Sequence, residues 1–165
     1  MALERTGRRA EEARNMYVGG RGDRTARAYA RAWALAFGKG LMPKRWVTLE
    51  VPGRKSGRMT RFPLGMADWE GRWFLVSMLG ECNWTRNVRA AGGRAVLRRR
   101  KPRGVLLNEV PTAQRAPIIK RYLAQVPGAR PHVPVDRRAS LAEFEAIAGD
   151  IPVFEVCDAT HGEHR

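Results

Sequence analysis

With 165 residues, the chain is long enough for one domain with a core of its own, and a hydrophobic fraction of 44% excludes disorder throughout. A formal net charge of +15, from 31 Lys and Arg against 16 Asp and Glu, makes a surface that attracts polyanions: nucleic acid, an anionic membrane face, or a phosphorylated and carboxylated small molecule. Cys82 and Cys157 read as reduced thiols, no signal-peptide core follows Glu4, Arg5, Arg8 and Arg9, and no apolar run spans a bilayer, so a cytoplasmic protein with at most peripheral membrane contact is expected.

Residues 1–24 mix Arg and Glu, end in the break Gly19-Gly20-Arg21-Gly22, and are set apart as an N-terminal segment. The domain is expected over residues 25–158, with 159–165 as a tail. It opens with an amphipathic helix, capped by Asp23 or Thr25, whose stripe is Ala26, Tyr29, Trp33 and Phe37; Gly38, Gly40 and Pro43 end it. From Arg45 the period becomes two. Val47, Leu49 and Val51 alternate with Trp46, Thr48 and Glu50, predicting a half-buried strand. A second strand places Phe62, Leu64 and Met66 on one face, and Pro63 implies a bulge or an unpaired edge position. After the turn Asp68-Trp69-Glu70-Gly71, Trp73-Phe74-Leu75-Val76 reads as a strand buried on both faces, completing an antiparallel meander.

Asn83 is expected to cap a short helix from Trp84 to Ala91, closed by Gly92-Gly93. Ala95-Val96-Leu97 and Val105-Leu106-Leu107 flank a hairpin turn at Lys101-Pro102-Arg103-Gly104. A helix is expected from about Thr112 to Ala124, with Pro117 in its first turn, followed by an extended connection at Pro127, Pro131 and Pro134. Ser140 caps a helix bearing Leu141, Phe144 and Ile147, and a closing strand runs from Ile151 to Cys157. About six short, mostly antiparallel strands with helices at the margins predict a mainly β (α+β) fold: a small split or closed antiparallel β-barrel.

The histidines are His132, His161 and His164, and no Cys/His pair has zinc spacing. The chain holds no G-x-S-x-G elbow, P-loop or G-x-G-x-x-G, and no evident carboxylate pair. An enzyme built this way borrows its reactive group from a cofactor. The one local anion site is Gly53-Arg54-Lys55-Ser56-Gly57, a basic turn between two strands; its plain alternative is a polar hairpin in a cation-rich protein. Downstream, Ser77-Met78-Leu79-Gly80 leads from the third strand into Asn83-Trp84-Thr85-Arg86-Asn87-Val88-Arg89, where a helix N-terminus offers N–H groups to an anion. Trp84 there is either core packing or a wall beside a planar ring.

The basic turn, Pro63-Leu64, Trp84-Thr85-Arg86-Asn87-Val88 and Ile151-Pro152-Val153 together resemble the deazaflavin-dependent nitroreductase family, split β-barrels related to the FMN-binding barrels. The resemblance covers roughly Val47 to Val156. It implies coenzyme F-420, a hydride carrier whose tail bears a phosphate and several glutamates. By that resemblance Arg54, Lys55, Ser56 and Gly57 lie along the cofactor's phosphate and tail. Thr60 stands where the family has a further Arg, and Arg61 follows it as the substitute. Ser77, Met78 and Leu79 border the ring, with Trp84 nearby, while Asn87 orients the helix. The Gly80–Asn83 loop is shorter than in the nitroreductases and lacks their lysine and proline. Their pocket tyrosines have no match, and Pro127-Gly128-Ala129-Arg130-Pro131-His132 stands there instead. His132 is the candidate proton donor, since histidine titrates near neutrality, and a surface histidine is the alternative.

The resulting expectation is an oxidoreductase that passes hydride from reduced F-420 to a small organic acceptor, a quinone or conjugated carbonyl compound, with nitroreduction incidental. Alternatives are a non-catalytic lipid- or fatty-acid-binding barrel and an FMN protein. Arg94, Arg98, Arg99, Arg100, Lys101 and Arg103 crowd one hairpin, but no aromatic residues are interleaved for base stacking, so no nucleic-acid partner is expected. A monomer and a homodimer fit equally.

Overall fold

The structure, a computed structural model, describes residues 44–159 and, upstream of them, Ala28, Arg31, Ala32 and Leu35, which are helical and exposed. The stripe at Ala26, Tyr29, Trp33 and Phe37, the segment before it, and the tail with His161 and His164 lie outside the described residues.

Six strands follow in chain order: β1 (Trp46–Pro52), β2 (Met59–Trp69), β3 (Arg72–Val76), β4 (Arg94–Arg98), β5 (Pro102–Glu109) and β6 (Val153–Asp158). They close into a barrel in the order β1-β2-β3-β6-β5-β4, with every pairing antiparallel. Within residues 44–159 three α-helices flank it: α1 (Asn83–Ala90), α2 (Ala116–Gln125) and α3 (Leu141–Ile147). The expected fold class is the observed one.

The period-two pattern sets which side chains face inward. Val47, Leu49 and Val51 join Met66, Leu75, Leu97, Val105, Leu107 and Phe154 in the barrel interior, and Trp84 and Val88 of α1 pack into the same cluster. The opposite faces of β2, β3 and β6, with Ala67, Phe74, Val76 and Val153, carry Ile119, Tyr122 and Leu123 of α2 and Phe144 of α3. Each fully buried side chain of this kind contributes roughly 1.5–3 kcal/mol. β3 therefore has both faces covered, as its unbroken apolar run implied.

β1 departs from expectation, because its outward residues Thr48 and Glu50 are only 1% and 6% exposed. Arg98 and Arg61 reach across from neighbouring strands and cover Glu50 with their own side chains, at 2.9 and 3.0 Å. Pro63 opposes Thr48 within an unbroken register, in the part of β2 that β3 does not reach, since β3 pairs only with Met66 to Trp69. It occupies an edge position with no bulge. The β2–β3 turn is Glu70-Gly71, both with positive φ (50° and 74°), the geometry that matches strand twist in a two-residue hairpin.

Several element ends and one connection depart from expectation. The β4–β5 turn is Arg99-Arg100-Lys101, because Pro102 already opposes Arg98 in the ladder. Helix α1 is capped at Cys82, whose N–H donates to Thr85 Oγ1 at 3.2 Å, so Asn83 is the first helical residue and its amide is free of capping. The Pro127–His132 connection is a 3-10 turn, with Ala129 buried and Ala129 N donating to Val126 O at 3.0 Å. In α2, Pro117 sits in the first turn, where a missing N–H costs nothing. Ser140 caps α3 as expected: its N–H donates to Glu143 Oε2 at 2.9 Å, and its Oγ accepts from Glu143 N at 3.4 Å.

Candidate functional site

The basic turn is locked by its own backbone. Gly57 N donates to Gly53 O and Gly53 N to Arg58 O, both at 2.8 Å, and Arg58 N donates to Ser56 Oγ at 3.3 Å. Gly57 has φ of 67°, so a side chain there would be strained. Arg54, Lys55, Ser56 and Gly57 all stand exposed at the tip.

A clasp from α1 holds the turn. Asn87 is 4% exposed, and its Oδ1 accepts from Arg54 N at 3.3 Å and Arg54 Nη1 at 2.9 Å. Asn83 Oδ1, one helical turn earlier on the same face, accepts from Arg54 Nη1 at 3.4 Å. On its other side Asn87 Nδ2 donates to Thr60 Oγ1 at 3.4 Å, and Thr60 Oγ1 donates to Val51 O at 2.6 Å. Thr60 is thus part of the clasp. The partners of Arg54 are neutral amide oxygens, and among the described residues no carboxylate pairs with Arg54, Lys55 or Arg58. Three positive charges remain uncompensated at one corner of the barrel, which fits a multiply anionic group.

Arg61 is committed elsewhere. It donates to Glu50 Oε1 at 3.0 Å from the flank of β2, and Arg98 grips the same carboxylate. The Arg98 hydrogen bond, with Arg61 beside it, holds the Glu50 carboxyl below the ordinary carboxylate range despite its burial.

Beyond β3, Ser77 is buried and its Oγ donates to Gly80 O at 2.5 Å; Ser77 Oγ also lies 3.4 Å from Cys82 Sγ. Ser77 N donates to Pro152 O at 2.9 Å. The hydroxyl therefore shapes the loop from within, and Met78 and Leu79 are left at its surface. Trp84 points the other way: it is 6% exposed and packs on Phe154 with ring centroids 5.5 Å apart. It anchors α1 to the barrel interior, where it joins the cluster of Val88 and Phe154.

A cleft of about 310 Å³ is lined by Met78, Leu79, Gly80, His132, Pro134, Asp150 and Ile151. The fold thus brings His132, distant in sequence, to the same loop as Met78 and Leu79. The cleft also contains Asp150 and Ile151, which sequence reasoning missed, because loop segments that meet only through tertiary packing leave no local pattern. The Asn83–Asn87 clasp had a signal: an i, i+4 pair of amides facing one way on a short helix. The strip from Arg54 through Asn83 and Cys82 to Ser77–Gly80 and the cleft is continuous along the chain and its hydrogen bonds.

The sequence matches the model of a family described as F420H(2)-dependent quinone reductase over residues 22–140. No curated protein matches the chain. Among solved structures, an F420-H2 dependent reductase is similar at 22% identity, covering 68% of this chain and 94% of its own, with a TM-score of 0.47. A conserved hypothetical protein from Mycobacterium tuberculosis is similar at 12% identity, covering 76% and 79%, with a TM-score of 0.49. A putative 5-nitroimidazole antibiotic resistance protein from Bacteroides thetaiotaomicron is similar at 7% identity, covering 74% and 78%, with a TM-score of 0.48. Since the family model spans well over half of the sequence, the chain belongs to the F420H(2)-dependent quinone reductase family and is a deazaflavin-dependent oxidoreductase acting on a small-molecule acceptor.

Proposed function

We propose that this protein reduces quinones or related conjugated carbonyl compounds, with the F-420 tail on the basic turn, the ring along Met78 and Leu79, and the acceptor in the His132 cleft. The observation that carries the reading is the Arg54–Asn83–Asn87 clasp, which fixes the anion-holding turn to the helix that leaves the 77–82 loop.

When bound, reduced F-420 supplies a hydride from C5 of its ring. The chain's own residues do the rest. Lys55 and the Arg54 fork hold the phosphate and tail carboxylates, and Ser56 Oγ keeps the turn closed through Arg58 N. Asn87, buried and bonded on both sides, keeps that anchor from moving relative to the loop. Met78, Leu79 and Ile151 exclude water from the reacting faces. His132 delivers the proton that, with one hydride, converts a quinone to its hydroquinone, and it regains a proton from solvent.

Fluorescence titration with F-420, comparing the native protein with Lys55→Ala, tests the reading. Tight binding weakened about tenfold in the variant is expected, equivalent to ~1.4 kcal/mol. Equal binding by both proteins removes the anchoring role of Lys55. No binding by either removes the cofactor site altogether.

A further inference from the structure

The two sides of the His132 cleft are built from distant segments, and one ion network ties them together. On the near side Glu81 follows Gly80, and Arg89 of α1 grips its carboxylate through Nη1 at 2.8 Å and Nη2 at 2.7 Å. The same guanidinium reaches Glu109 at the end of β5, with Nε at 2.8 Å and Nη2 at 2.7 Å. Glu109 Oε1 also accepts from Arg115 Nη2 at 3.1 Å. Arg115 is only 7% exposed and directs its remaining donors to main-chain carbonyls: Val110 at 2.8 Å, Ala148 at 3.2 Å and Ile151 at 3.3 Å. Ala148 and Ile151 bracket Asp150, and Asp150 and Ile151 form the far side of the cleft.

The two sides nearly touch. A Cβ built on Gly80, whose φ is 70°, would stand 3.0 Å from Asp150 O. A shift of a few tenths of an ångström in either segment therefore changes the width of the opening. A buried guanidinium suits this task, because its planar fork serves several acceptors at fixed angles, which a single ammonium cannot do. Losing the fork leaves the Ala148 and Ile151 carbonyls without their donor, and they move toward water.

We propose that Arg89, Glu109 and Arg115 are positioning residues for the acceptor. They touch neither acceptor nor cofactor, but through Glu81 and the 148–151 carbonyls they fix the separation of the two cleft walls and so set acceptor affinity. This rests on the assignment of the cleft to the acceptor.

The test compares the native 165-residue chain with Arg115→Lys and Glu81→Gln, using menadione as the acceptor probe. In Arg115→Lys the menadione KM rises about tenfold, while the F-420 Kd stays within about twofold of native. Amide exchange at Gly149, Asp150 and Ile151 quickens about tenfold, and exchange in the six strands is unchanged. Glu81→Gln, half-exposed at the far end of the network, shifts KM and exchange in the same direction by a smaller factor and serves if Arg115→Lys does not fold. A folded variant with native KM and native exchange overturns the proposal. So do parallel losses of F-420 and menadione binding with faster exchange throughout the barrel, which mark a purely structural role. A native protein that binds no F-420 overturns the functional reading and this inference with it, whereas native turnover with unchanged variants overturns this inference alone.

Discussion

Asn87 shows how one buried amide converts a flexible cationic turn into a fixed one. It has four hydrogen-bonding positions; its oxygen takes two donors from Arg54 and its nitrogen donates to Thr60. Truncation removes these bonds and leaves the Arg54 backbone N–H without its partner. Asn87→Ala is expected to lower stability by ~1–3 kcal/mol in urea denaturation. It also weakens F-420 binding about tenfold, because the turn must then be ordered on binding. A variant as stable as native and equally tight for F-420 would deny the clasp its role. The resemblance gives Asn87 the task of orienting its own helix, and the structure shows it bonded to Arg54 and Thr60. The partner it orients is the β1–β2 turn, 33 residues away, and no local pattern names that partner. Trp84 and Arg61 illustrate the same limit. Their chemistry admits either a ligand or a protein partner, and Phe154 and Glu50 occupy them.

Between elements, charge pairs do what short strands cannot. Helix α1 is held to β5 by Arg89, whose fork takes Glu81 and Glu109 together, and β5 to the α2 start by Arg115. The Arg89 hydrogen bonds hold both carboxyls below their ordinary value of 4.5. Since their folded pKa values are depressed, the stability they contribute is complete above the unfolded value and lost as pH falls through the lower folded one. The urea midpoint is therefore expected to be flat between about pH 7 and about pH 6 and to fall below about pH 4.5, and Glu109→Gln to flatten part of that acid slope. An unchanged slope in Glu109→Gln would show that other carboxylates govern acid unfolding. Among the elements themselves, strands and the α3 cap were legible because their signals are local: alternation in β1, an unbroken apolar run in β3 and the Ser140–Glu143 box at α3. The Pro127–His132 segment, extended by its prolines alone, takes a 3-10 path in which Ala129 is buried, and that burial is a tertiary event with no local signal.

For the whole molecule, a net charge of +15 says that anions are attracted but not where they settle. Closure of the barrel places Glu50 between Arg61 and Arg98, and Asp158 beside Arg103 at 3.2 Å, neutralising cations along the strands. The basic turn keeps its charge. Raising ionic strength from about 0.02 M to about 0.5 M should then weaken F-420 binding about tenfold, because the Debye length contracts below the spacing of the charges involved. The menadione KM should stay within about twofold, since that cleft is mainly apolar and neutral quinones are not steered by charge. Salt-independent F-420 binding would remove the electrostatic anchor. None of the described helices is long and apolar enough to cross a membrane. By itself the sequence determined the strands, their inward faces, the basic turn and the likeness to deazaflavin enzymes, because alternation, glycine turns and motif spacing act over a few residues. Only the tertiary structure decided which cations stay free, that Trp84 lies in the core, and that His132 meets Met78 and Asp150. These depend on pairings across dozens of residues, such as Arg98 with Glu50 at a separation of 48, which exist only once the barrel has closed.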